Sequence, residues 1–79
     1  MIVHVQLFAY FRKEIPGLDG EGRKQVSLPE KSRVSDLLSA LGIPTGRYKL
    51  IILNGLHCKE DKTLSEGDQV SIFPPIAGG

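Results

Sequence analysis

The chain has 79 residues, 41% of them hydrophobic, enough for one compact domain that buries only roughly 60% of the surface its unfolded form exposes. Ten Lys and Arg against nine Asp and Glu leave a net charge of +1 with no like-charged block, which argues against a nucleic-acid or membrane-surface footprint. The single cysteine, Cys58, excludes an internal disulfide and any multi-cysteine zinc or iron–sulfur site, and suits a reducing, cytoplasmic setting.

From Ile2 to Phe8 the residues alternate, with Val3, Val5 and Leu7 on one side and His4, Gln6 and Phe8 on the other, the period of a strand covered on one face. The same opening has neither a basic leader nor a continuous apolar run, so we expect a protein that is not processed at its N-terminus and has no membrane span. Residues 12–24 hold Pro16, Gly17, Gly20 and Gly22, a density of breakers that predicts a mobile connecting loop. "QVSLP" predicts a short second strand stopped by Pro29. Val34, Leu37, Leu38 and Leu41 fall at i, i+3, i+4 and i+7, the stripe of an amphipathic helix, with Ser32 as its cap and Gly42 as its end.

"KLIILNG" runs into Asn54-Gly55, a dipeptide favoured in two-residue hairpin turns because both positions tolerate positive φ. A Glu-Gly-Asp turn then feeds a last strand from Gln69 to Phe73. The order β-β-α-β-β-β predicts an α+β fold, a mixed sheet of four to five strands packed on one main helix. That order matches the β-grasp, or ubiquitin-like, arrangement, in which the first and last strands lie parallel at the centre. Residues 1–73 would form the domain and 74–79 an extended, flexible tail.

No nucleophile with a base, carboxylate pair or metal cluster stands out. His57 and Cys58 are strand neighbours whose side chains point to opposite faces, and the acidic residues fall in or near turns. The chain reads as no enzyme on its own, with no catalytic residue and no metal site. Phe8 and Phe73, by contrast, fall on the polar side of their strands, and two of the four residues Leu50 to Leu53 must face outward with them. Pattern alone leaves two readings: an exposed apolar patch, a common mark of a partner surface, or residues covered by the 12–24 loop or tolerated singly at the surface; the place of Phe73 directly before the tail favours the patch.

Pro74 and Pro75 end the last strand and stiffen the exit, and six extended residues reach roughly 18–20 Å. Gly78 and Gly79 remove side chains where a tail must thread a narrow passage. A terminal carboxylate is ionised at neutral pH and is a poor electrophile, so chemistry at Gly79 requires activation, most simply as an acyl-adenylate made from ATP.

The opening "IVHVQLFAYFRKE", the helix "VSDLLSALG", the hairpin "IILNG", the segment "LSEGDQVSIF" and the ending "FPPIAGG" together resemble the MoaD family, the small sulfur-carrying subunits of molybdopterin synthase, within the wider MoaD/ThiS group. The resemblance implies that Gly79 is adenylated by a MoeB-like enzyme and becomes a thiocarboxylate, with a cysteine desulfurase or rhodanese as sulfur donor. It implies that Pro74, Pro75, Ile76, Ala77 and Gly78 enter partner active sites, that Phe8 and Phe73 belong to the docking face, and that a MoaE-like large subunit completes a heterotetramer. No cofactor would be bound, ATP being used by the activating enzyme. The alternatives are a ThiS-like carrier for thiazole synthesis or another thiolated product, a ubiquitin-like protein modifier, and a binding module whose Gly-Gly end is incidental.

Overall fold

The computed structural model describes residues 1–47 and 49–75. Its elements are β1 (Ile2–Leu7), α1 (Tyr10–Glu14), β2 (Arg23–Ser27), α2 (Val34–Leu41), β3 (Leu50–Leu53), β4 (Leu56–His57) and β5 (Gln69–Phe73). The strands form one sheet in the order β2-β1-β5-β3-β4. β1 and β5 run parallel at its centre, with Val5 opposite Val70 and Leu7 opposite Ile72, while the other neighbours are antiparallel. This is the expected β-grasp.

The alternation in β1 holds: Val3, Val5 and Leu7 are buried and meet the stripe Val34, Leu37, Leu38 and Leu41 of α2, together with Val70, Ile72, Ile51 and Leu53. One face of the sheet is thereby dry and the other open. Asn54 and Gly55, at φ 50° and 87°, make the expected hairpin turn. The Ser65 to Asp68 turn carries Gly67 at φ 80° and closes with Asp68 N–H donating to the Ser65 carbonyl at 3.2 Å.

Three expectations are corrected. Residues 12–24 are not one connecting loop, because Tyr10–Glu14 is helical and buries Phe11 in the core, and β2 already starts at Arg23. Between them, the Asp19 carboxylate accepts the N–H groups of Glu21 and Arg23 at 2.8 and 2.9 Å, a local arrangement that glycine counting does not detect. The second strand accordingly lies two residues earlier than "QVSLP", ending before Leu28, which turns into the core.

Ser32 does not cap α2. Its hydroxyl donates to the Pro29 carbonyl at 2.7 Å, and Arg33 occupies the cap position, its N–H donating to Asp36 Oδ2 at 2.8 Å. An arginine side chain carries no acceptor, so the first helical N–H groups find theirs elsewhere. Val34 N–H donates to the Lys62 carbonyl and Ser35 N–H to that of Glu60. Gly42 ends the helix as expected, at φ 79° and ψ 18°, with Ile43 N–H returning to the Leu38 carbonyl at 2.9 Å.

Candidate functional site

On the open face of the sheet, the ends of β1 and β5 bring Phe8 and Phe73 together. Their rings are stacked, with centroids 4.2 Å apart and planes 10° from parallel, and each is half-buried. β1 keeps its ladder to the last possible residue, Phe8 N–H donating to the Ile72 carbonyl at 3.3 Å, so both rings stand at one end of the two central strands. β3 adds Leu50, opposite Phe73, and Ile52, opposite Ser71. These two are the outward-facing members of the Leu50 to Leu53 run; Ile51 and Leu53 are buried. These side chains share the open face as an apolar strip, but each is half-buried rather than exposed as strand phase predicts.

The strip meets the root of the tail. Pro74 is buried and Pro75 exposed, immediately after Phe73. Ile76, Ala77, Gly78 and Gly79, the other tail residues singled out from the sequence, lie outside the described residues.

Immediately before β3 stands Lys49. Its side chain is only 2% exposed, and its ammonium donates to Glu60 Oε2 and to the Arg47 carbonyl, each at 2.6 Å. Glu60 also accepts the Gly46 N–H at 3.0 Å. The bonds from Lys49 and then Gly46 keep the Glu60 carboxyl below its ordinary pKa of 4.5, against the opposing effect of burial. Asp19 is likewise lowered, by the backbone N–H groups of Arg23 and then Glu21. Both carboxylates are thus committed to holding loops and are not poised for proton transfer.

His57 and Cys58 diverge as strand geometry requires: His57 is exposed opposite Ile52, while Cys58 packs half-buried against the core. Burial raises the Cys58 thiol above its usual value, so little thiolate exists at neutral pH. Among the described residues no three His, Cys, Asp or Glu side chains are grouped to hold a metal ion, and no helix is long and apolar enough to cross a membrane.

A β-grasp whose open face carries an apolar strip leading to Pro74 and Pro75 is a ubiquitin-like domain. Residues 5–79 match the ThiS family, and the chain belongs to it. It is 34% identical over 85 aligned positions to the molybdopterin synthase sulfur carrier subunit of Drosophila yakuba, covering 98% of this chain and 90% of that one. Among solved structures it resembles a putative molybdopterin converting factor subunit 1 from Pyrococcus furiosus, at 30% identity and TM-score 0.72, over 96% of this chain and 99% of the other. A chain in a complex of subunits 1 and 2 of molybdopterin-converting factor from Helicobacter pylori shares the fold at TM-score 0.62 and 22% identity, over 100% of both chains.

Sequence phase located Phe8 and Phe73 but left open which of the four β3 residues join them. It missed Phe11 and the Lys49–Glu60 pair. Phe11 lies one helical turn from nothing recognisable as a stripe, and Lys49 and Glu60 are brought together only by folding.

Proposed function

We propose that this chain is the sulfur carrier of molybdopterin synthase, and that its reactive group is the carboxylate of Gly79. The observation that carries this is the stacked Phe8–Phe73 pair continuing into Leu50 and Ile52 at the root of the tail, in a chain of the ThiS family whose relatives include molybdopterin synthase sulfur carrier subunits. The strip presents apolar area and few charges, which suits docking on a larger protein with an apolar surface of its own.

In the proposed cycle the Gly79 carboxylate attacks the α-phosphate of ATP on a MoeB-like enzyme, forming an acyl-adenylate and releasing pyrophosphate. The terminal sulfur of a cysteine persulfide on the donor, a cysteine desulfurase or a rhodanese, then attacks the acyl carbon and AMP leaves; a second thiol reduces the resulting acyl disulfide, releasing the thiocarboxylate and leaving the donor cysteine in a disulfide with that thiol. The thiocarboxylate travels into a MoaE-like large subunit, with Pro75 to Gly78, beyond the buried Pro74, threading its active site, and gives its sulfur to a pterin precursor, water restoring the Gly79 carboxylate. The small subunit supplies the sulfur and the docking face; the catalytic groups belong to its partners, in a heterotetramer of two small and two large subunits in the cytoplasm.

The test is intact mass spectrometry of the chain after incubation with ATP, a MoeB-like enzyme and a sulfur donor. The expected result is a gain equal to exchanging one oxygen for sulfur, localised to Gly79, and loss of the gain when one residue is added after Gly79. An extended chain that still supports molybdopterin synthesis overturns the proposal. Adducts on lysines of other proteins, in place of thiocarboxylate, would make the chain a modifier.

A further inference from the structure

We propose that Phe8 is a positioning residue, whose ring, held in place by a left-handed backbone at Ala9, fixes Phe73 and so the direction in which the tail leaves the sheet. Ala9 has φ 54° and ψ −135°, a conformation that glycine adopts freely and residues with a Cβ rarely do. The helix that follows does not call for it. A helix cap usually has extended dihedrals and a side chain that accepts a backbone N–H, and Ala9 offers neither, serving α1 only through its carbonyl, which accepts Arg12 N–H at 3.1 Å.

What the conformation achieves is a change of face. Phe8 must remain on the open side of the sheet, yet Phe11, 7% exposed, must lie in the core on the other. Strain of this kind persists where the surroundings over-determine it. Here Phe11 is anchored among core residues, and Phe8 is anchored by its ladder bond to Ile72 and by the ring of Phe73. Phe73 in turn is the last residue of β5, with Pro74 buried and Pro75 exposed directly after it. Each proline has one backbone angle fixed by its ring, so fewer free rotations separate Phe73 from the start of the tail. Ala9, Phe8, Phe73 and Pro74 thus form one mechanical line from the first strand to the tail root.

The inference rests on the carrier function proposed above, and its test separates the two. Phe8→Leu keeps an apolar side chain on the docking face but removes the stack; Phe8→Tyr keeps the stack. In the free protein, the Phe73 ring protons should lose their upfield ring-current shift in Phe8→Leu and retain it in Phe8→Tyr. In sulfur transfer with the large subunit at saturating carrier, Phe8→Leu should lower kcat about three- to tenfold, the span expected for one aromatic pair, with a smaller change in KM. Phe8→Tyr should rescue kcat, and Phe73→Leu, which removes the same stack from the other side, should reproduce the loss. An unchanged kcat with a raised KM overturns the positioning role and leaves Phe8 a docking residue only; an unchanged Phe73 spectrum in Phe8→Leu overturns the geometry. Failure of the unmutated chain to become thiolated removes the carrier function itself, and is visible before any variant is compared.

Discussion

Lys49 and Glu60 should respond very differently to substitution, although each is half of the same ion pair. The Lys49 side chain is 2% exposed and that of Glu60 25%, with 2.6 Å between ammonium and carboxylate. Glu60→Gln leaves a cation in a nearly dry site with, among the described residues, a neutral amide and the Arg47 carbonyl as acceptors, a loss on the order of 3 kcal/mol. In a chain this size, whose whole stability is roughly 4–12 kcal/mol, that is a large fraction. Lys49→Met removes the cation and fills the same space with an apolar side chain; Glu60 then retains water on its exposed part and the Gly46 N–H, so the cost is within about 1 kcal/mol. Urea unfolding followed by circular dichroism measures both. With a slope of about 1 kcal/mol per molar urea, Glu60→Gln should lower the midpoint by roughly 2–3 M and Lys49→Met by less than about 1 M. Equal losses, or a larger one for Lys49→Met, would show that the buried amine is not what the carboxylate serves.

The pH dependence of stability has a sign set by the same site. Glu60 and Asp19 are both lowered in the folded chain, so the stability they contribute is complete above their ordinary pKa values of 4.5 and 3.8 and is lost as pH falls through the lower folded values; the acid limb of unfolding should flatten in Lys49→Met. Gly22→Ala should destabilise by about 1–3 kcal/mol, because Gly22 sits at φ 79° and an added Cβ would lie 2.6 Å from the Leu7 carbonyl oxygen; Gly20→Ala, with open space around it, is the control in thermal melts. Phe73→Asp should weaken binding of the large subunit by about 30-fold or more while costing the free domain only about 1–2 kcal/mol, since the ring is half-buried and stacked on Phe8 rather than packed in the core. Calorimetric titration and urea unfolding on the same sample check the two halves, and outright unfolding of the variant would show that the ring supports the core.

Strand and helix periodicity by themselves determined which side of β1 and α2 is dry, because alternation along a strand and the i, i+3, i+4 spacing along a helix follow from backbone geometry alone. The turn residues Asn54-Gly55, Gly67 and Gly42 were legible for the same reason: a positive φ is a local demand that few residues satisfy. Phe8 and Phe73 could be assigned to the open face from phase, and the parallel pairing of β1 with β5 followed from the β-grasp order.

Only the tertiary structure decided the rest. That the two phenylalanines stack, and that Leu50 and Ile52 rather than Ile51 and Leu53 extend their strip, depends on the register between β1, β5 and β3. Capping of α2 by the carbonyls of Glu60 and Lys62, and the burial of Lys49 against Glu60, join segments that no local pattern links. Residues 10–14 have too short a stretch to show a helical stripe, so their helix becomes readable only through Phe11, which the core holds in place. Local conformational preference is written residue by residue, whereas the partners of a side chain are set by where distant segments of the chain meet.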